Sequence, residues 1–406
     1  MKNLLLSIFI FSSITLFSQS WIVRNNLPGL ERRTSSGCSA QGKGYVMFGI
    51  KGNVNLKDLW EYNPQTDSWV QKNDYPGQAR RGGIFVSNDT LVFAGLGSNG
   101  STNFTDFRQY FPATDSWVTK ASYPGLGGFI GFAEIFNGFV YVGGGVDLSQ
   151  NLNKADFWKY EVATNTWTSL GSFPFGIRTG GLCRESNGLI YFGLGHTGSL
   201  SKKDFWAYNP VSNTWTQKVD FPGIDRLNPI NFKTSNNELI VGAGYQLQGP
   251  AQSDYYKYDP INDVWDTISN SLLNANRSVA AQFTINDIGY VMGGWHSSQT
   301  FELRDLWSYK PAFVTSTSDL ESKKLNFKIY PIPASNYINL NFEVENGNTQ
   351  FMLFDLKGNQ VFVQNLNGKS LENRISLTDI TTGIYFYQIK SNQNIVSGKL
   401  TVIKNY

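Results

Sequence analysis

Residues 58–69 read DLWEYNPQTDSW, and residues 106–117 read DFRQYFPATDSW. The same frame returns at residues 204–215 as DFWAYNPVSNTW. In each, Asp opens an aromatic strand, Tyr follows four residues later, a turn intervenes, and Trp sits on the next strand. Working outward, six copies of each mark appear. The tryptophans are Trp21, Trp69, Trp117, Trp167, Trp215 and Trp265, at steps of 48, 48, 50, 48 and 50 residues. The Asp…Tyr strands begin at Asp58, Asp106, Asp156, Asp204, Asp254 and Asp305. An apolar run closed by glycine precedes each: Tyr45–Gly49, Leu91–Gly95, Val140–Gly144, Ile190–Gly193, Leu239–Gly242 and Tyr290–Gly294. Periods near 50 residues with four short strands each mark propeller blades, because one such sheet cannot bury both faces alone.

The phase of the repeats predicts a closed ring. Ser20-Trp21-Ile22-Val23 precedes any complete repeat, and the last Asp305…Tyr309 strand has no Trp strand after it. Both oddities vanish if the N-terminal strand is the outer strand of the last blade, which also removes an open edge. Six blades are expected, starting near residues 33, 81, 129, 178, 226 and 277. The glycine pairs, Tyr and Trp resemble kelch repeats over nearly 290 residues. Cys38 and Cys183 fall on opposed blades one and four. A disulfide needs Cα atoms within about 7 Å, so two free thiols are expected.

Composition agrees with an all-β reading. The chain has 406 residues, 15% of them aromatic and only 16% charged, with 40 glycines; disorder needs the opposite balance. A net charge of +3 without a Lys/Arg run excludes a dedicated nucleic-acid binder. Residues 1–20 read as a signal peptide: Lys2, an apolar stretch from Leu4 to Phe17, then Ser18 and Ser20 as small cleavage-site residues. No later stretch is apolar enough to span a bilayer, so the mature chain is expected to have no transmembrane segment. The expected order is signal peptide 1–20, propeller 21–310, linker 311–325 and a small β-sandwich at 326–406. Alternating segments there are punctuated by turns at Lys357-Gly358-Asn359 and Asn367-Gly368.

Four elements of that last segment, Lys328-Ile329-Tyr330-Pro331-Ile332-Pro333-Ala334, Phe354-Asp355-Leu356-Lys357-Gly358, Thr382-Gly383-Ile384-Tyr385 and Lys399-Leu400-Thr401-Val402, resemble the C-terminal sorting domain of the type IX secretion system. Ile332 departs from the Asn usual between those prolines. The resemblance implies that residues 326–406 engage the type IX machinery and steer the chain across an outer membrane, to be secreted or attached to the surface. The fold class read from the whole chain is a six-bladed kelch-like β-propeller followed by a small C-terminal β-sandwich.

Loops joining strands two and three, and those joining consecutive blades, share one face. The latter carry Tyr75-Pro76-Gly77, Tyr123-Pro124-Gly125 and Phe221-Pro222-Gly223, followed by Arg33, Arg81, Arg178, Arg226 and Arg277, with Phe129 in blade three. Guanidinium groups at one mouth suit a carboxylate, sulfate or acidic sugar. The leading reading of this recurrence is that the Arg ties neighbouring loops together, as in kelch-like repeats, leaving one or two of the five for a ligand. Three residues beyond the common glycine, the ring reads Lys51, Gly97, Val146, His196, Tyr245 and His296, with Trp295 beside His296. Positions on adjacent blades are too far apart for bonds of about 2 Å to one ion, so no metal is expected. No phosphate loop and no cofactor motif is present. The recurring Asp reads as a loop tie.

A binding module for a glycan or protein ligand is the leading functional expectation. The alternative is a carbohydrate-active enzyme, since kelch-like six-bladed proteins include a sialic acid mutarotase; Glu134 and Asp147 are then acid/base candidates.

Overall fold

The structure is a computed structural model that describes residues 20–148, 150–247, 249–268, 277–296, 301–310, 327–331, 333–342, 349–355, 360–366, 372–391 and 394–404. Of the expected signal peptide only Ser20 is described. The linker 311–325, Ile332 and the turns at 357–359 and 367–368 lie outside the described residues. Two compact units divide the chain, Met1–Phe313 and Val314–Tyr406.

The first unit is a six-bladed propeller, and the described residues are all-β. Blade one runs Ser36–Ala40, Lys43–Met47, Leu59–Asn63 and Ser68–Lys72 from inside to outside, every neighbour antiparallel. Blades two to five repeat that order. In blade six the outer strand is Ser20–Arg24, paired along Phe301–Lys310 with Trp21 opposite Tyr309.

The repeat marks have packing causes. Each outer-strand Trp lies directly across from the third-strand Tyr of its own blade, as in Trp69↔Tyr62 and Trp215↔Tyr208. Their ring centroids are 5.0 and 4.8 Å apart, within the range of favourable aromatic pairs. The Trp69 indole N–H donates to the Asn25 carbonyl at 2.9 Å, and Trp117 does the same to Asn73 at 3.1 Å, stitching each blade to the one before. The Tyr62 hydroxyl donates to Asp67, a residue at φ 47° in the hairpin between strands three and four. Asp and Asn recur there because they tolerate the left-handed region. Glycine closes the second strand because the third strand crowds it: a Cβ on Gly95 would stand 2.2 Å from the Asp106 carbonyl oxygen.

Two circles of backbone hydrogen bonds join the blades near the axis. In the outer circle, Gly49, Gly97, Gly145, Gly195, Gly244 and Gly294 donate to the carbonyls of Arg80, Gly128, Arg178, Arg226, Arg277 and Arg32. Every blade thus binds the next, and the sixth binds the first. The inner circle of residues is bonded at five of its six junctions: Thr34 donates to Val279, Gly82 to Thr34, Ile130 to Gly82, Gly180 to Ile130 and Asn228 to Gly180. These inner residues all have positive φ, including β-branched Thr34 (52°), Ile130 (52°) and Val279 (50°). Such residues avoid that region at a cost of about 1–3 kcal/mol each, and ring closure holds them there.

Both cysteines are free thiols, Cys38 buried and Cys183 partly buried, on the innermost strands of blades one and four. Burial pushes both thiols up, with Glu134 adding to the effect at Cys183.

The second unit is a β-sandwich. One sheet orders Phe327–Tyr330, Tyr337–Phe342 and Glu372–Ser376; the other orders Gln360–Leu366, Thr349–Phe354, Gly383–Ser391 and Asn394–Val402. Ile338, Leu340 and Ile375 of the first pack with Phe351, Leu353 and Leu400 of the second in one core.

Two outcomes test this description. Denaturation without reductant should release two titratable thiols per chain, whereas in the native state Cys38 resists small thiol reagents and Cys183 reacts slowly; fewer than two would mean a disulfide. All eleven tryptophans precede residue 310, so their fluorescence reports propeller unfolding alone. By that signal Arg226→Ala, which strips one side of a buried ion pair, should destabilise the propeller to urea by about 3 kcal/mol.

Candidate functional site

In five of the six blades the interblade segment folds back onto its blade through one guanidinium. Arg32, Arg80, Arg178, Arg226 and Arg277 are almost fully buried. They grip Asp58, Asp106, Asp204, Asp254 and Asp305 with both terminal nitrogens, as at 2.8 and 2.7 Å for Arg32. Such paired charge-assisted bonds are strong and directional. Each Arg also donates to a backbone carbonyl at or just past the glycine-rich end of the second strand, Arg178 to Leu194 at 2.9 Å. Glycine in the Pro-Gly turns leaves room: a Cβ on Gly77 would meet Arg80 and Asp106 at 2.7 Å.

The expected loop-tie role is what three of the expected arginines have, and their ligand-facing alternative falls. Arg178, Arg226 and Arg277 are enclosed structural ties, not groups facing a mouth. In blades one and two the tie is Arg32 and Arg80, one residue before the expected Arg33 and Arg81. In blade three the position is Gly128, and Lys154 fills the space from the side. Its buried Nζ donates to the Gly127 carbonyl and lies 4.0 Å from Asp156.

The residues after the ties form the inner row of the mouth: Arg33, Arg81, Phe129, Thr179, Leu227 and Ser278. Bridges pair them with Ile50, Ser98, Val146, His196, Tyr245 and Trp295. The expected histidine level was therefore right at Val146, His196 and Tyr245 but one residue off in the other three blades. A third row follows, Asn55, Asn103, Asn153, Ser201, Ala251 and Glu302.

Where blades six, one and two meet, this face is charged. Glu302, with 8% of its side chain exposed, lies 3.4 Å from Arg33 Nε and 3.6 Å from Lys51 Nζ, and accepts the Gly52 N–H at 3.2 Å. Arg33 stacks over Trp295 with its guanidinium carbon 4.8 Å from the ring centroid. Arg81 stands over Phe129 at 5.7 Å. Burial and the charge of Arg33 both hold Arg81 below its usual pKa, and among the described residues it has no carboxylate partner. Across the mouth, burial raises the Tyr245 phenol, while a hydrogen bond with Asn228 and the charge of Arg33 act against it.

The histidines do other work. His196 accepts the Gly198 N–H on Nδ1 at 3.0 Å, and burial followed by the charge of Arg178 lowers its pKa, which keeps it neutral near pH 7. His296 is buried beside Arg277 in the blade-six sheet. Among the described residues no three His, Cys, Asp or Glu side chains are grouped to hold a metal. Asp147 is buried and accepts from Asn103 and Gln150. Glu134 lies on the innermost strand of blade three, away from the mouth.

Glu302 escaped the sequence reading. Its signal is visible once the repeats are aligned: five blades carry Asn, Ser or Ala at that position, and blade six alone carries a carboxylate.

Residues 328–404 match the secretion system C-terminal sorting domain family. No curated protein matches the chain. The solved structure of YjhT superposes with a TM-score of 0.60 at 16% identity, covering 69% of this chain and 95% of that one. At that identity the likeness speaks for the fold alone. The protein is a six-bladed β-propeller followed, at residues 328–404, by a secretion system C-terminal sorting domain.

Proposed function

We propose that the propeller is a secreted or surface-attached binding module, and that its mouth takes a carboxylate-bearing glycan. The observation that supports this is Arg81, a half-buried guanidinium without a carboxylate, beside a second guanidinium, Arg33. Two like charges held together at a partly enclosed surface are relieved by an anion. Trp295 and Phe129 flank them with aromatic surface on which a sugar ring can lie. Asn228 and Tyr245 add polar groups for hydroxyls. The sorting domain implies passage across the outer membrane to the cell surface, where such ligands are met.

A second reading rests on Glu302. A buried carboxylate beside an arginine is the pair an acid/base catalyst of sugar ring opening needs. It predicts faster anomer interconversion of an acidic sugar, lost in Glu302→Gln.

A glycan array followed by calorimetry tests the first reading. Acidic glycans should bind, and Arg81→Ala should weaken binding about 10- to 100-fold, the worth of a hydrogen bond to a charged group at about 1.5–3 kcal/mol, while Trp fluorescence shows an unchanged urea midpoint. Equal binding by Arg81→Ala would sink the arginine assignment. One-dimensional NMR of anomer exchange with and without protein tests the second. For export, removal of residues 328–404 should leave the propeller periplasmic, read by mass spectrometry of culture supernatant and surface-shaved peptides.

A further inference from the structure

The β-sandwich of the second unit has two outward faces, and they differ. Sheets packed face to face alternate apolar residues toward the core with polar ones toward water. The sheet of Phe327–Tyr330, Tyr337–Phe342 and Glu372–Ser376 keeps that rule. Ile338 and Ile375 lie opposite one another and are fully buried, while Asn339 lies opposite Arg374 and Tyr337 opposite Ser376. Arg374 covers the Tyr337 ring, its guanidinium carbon 3.7 Å from the centroid.

The four-stranded sheet breaks the rule. Its inward residues, among them Phe351, Leu353, Tyr385 and Tyr387, fill the core. The residues between them point the other way and are apolar too: Val361, Val363, Ile384 and Phe386 are 41, 49, 39 and 49% exposed. The register gathers them into one patch. Met352 lies opposite Val363, Phe354 lies opposite Phe386, and Ile384 is two residues from Phe386 on the same strand. Single exposed apolar residues are ordinary, whereas a contiguous set across three neighbouring strands marks an interaction surface. The bordering strand, Gln360–Leu366, reads QVFVQNL and is paired on one side only among the described residues. Edge strands ordinarily carry charge or proline that keeps other chains away; this one carries neither. At the other borders the backbone register sets Lys390 opposite Gln350 and Lys399 opposite Phe386. An aromatic and Met-containing centre with a polar, charged margin is the anatomy of a protein–protein contact.

We propose that this outward face is where the secretion machinery holds the sorting domain, and that its counterpart is an apolar protein surface bordered by carboxylates. The inference rests on the reading of residues 328–404 as the sorting signal. The test follows the full chain in secreting cells, as the rate at which it passes from the periplasm to the surface or supernatant. Val363→Thr with Phe386→Gln should slow export about tenfold, the effect of docking weakened by about 1.4 kcal/mol. Val363→Ile with Phe386→Leu keeps the face apolar and should export like the wild-type chain. Trypsin resistance of residues 326–406 in the retained chain, read by mass spectrometry, separates lost docking from unfolding. Should the polar pair unfold, Phe386→Gln alone takes its place, with slower export expected again. The proposal is overturned if the folded polar variant is exported at the wild-type rate, or if the apolar pair is retained as strongly as the polar one. If the chain lacking residues 328–404 is exported too, the sorting reading itself fails. If that deletion is retained while the folded polar variant passes, the docking face alone is wrong.

Discussion

A guanidinium sealed from water and gripped by both oxygens of one carboxylate is the contact on which this propeller depends. The Arg side chain pins the incoming segment to the third strand of its blade, while its backbone carbonyl accepts the N–H of the preceding blade's glycine. One residue thus fixes a blade internally and joins it to its neighbour. Removing the aspartate leaves the guanidinium charged in a dry site, which is far costlier than losing an exposed pair. The glycine in the Pro-Gly turn is a consequence, since its missing Cβ is the space the ion pair occupies.

Blade three shows that the constraint is electrostatic and not one of residue identity. With Gly128 at the tie position, Lys154 enters from the second-to-third-strand loop and brings its ammonium beside Asp156. Burial lowers the lysine's pKa and the nearby carboxylates Asp156 and Asp147 oppose that shift. A cation is delivered to the same place by a different stretch of chain.

Function, on this reading, lies where the repeat breaks its own pattern. The inner mouth row carries Thr, Leu, Ser or Phe in four blades and Arg in two adjacent ones, and the neighbouring Glu302 and Trp295 likewise depart from the residues of the other blades. The axial circle of left-handed residues then divides the centre of the ring. On one side lies the cationic, aromatic-flanked mouth; on the other lies a cavity between the innermost strands, lined by four carboxylates and two cations.

The sequence by itself determined the blade count, the propeller fold and the sorting domain. These depend on spacing, and a 48- to 50-residue period survives every local substitution. It also named Tyr245 and Trp295, which the fold sets opposite Leu227 and Ser278 of the inner mouth row. Only the tertiary structure decided which arginine of each Arg-Arg doublet is buried. Arg32 and Arg33, like Arg80 and Arg81, have identical chemistry, and a one-residue offset sends one guanidinium to an aspartate and the other to the mouth. Glu302 was hidden for a related reason: its importance comes from Arg33 and Lys51, which lie more than 250 residues away in the chain and become neighbours only because the ring closes.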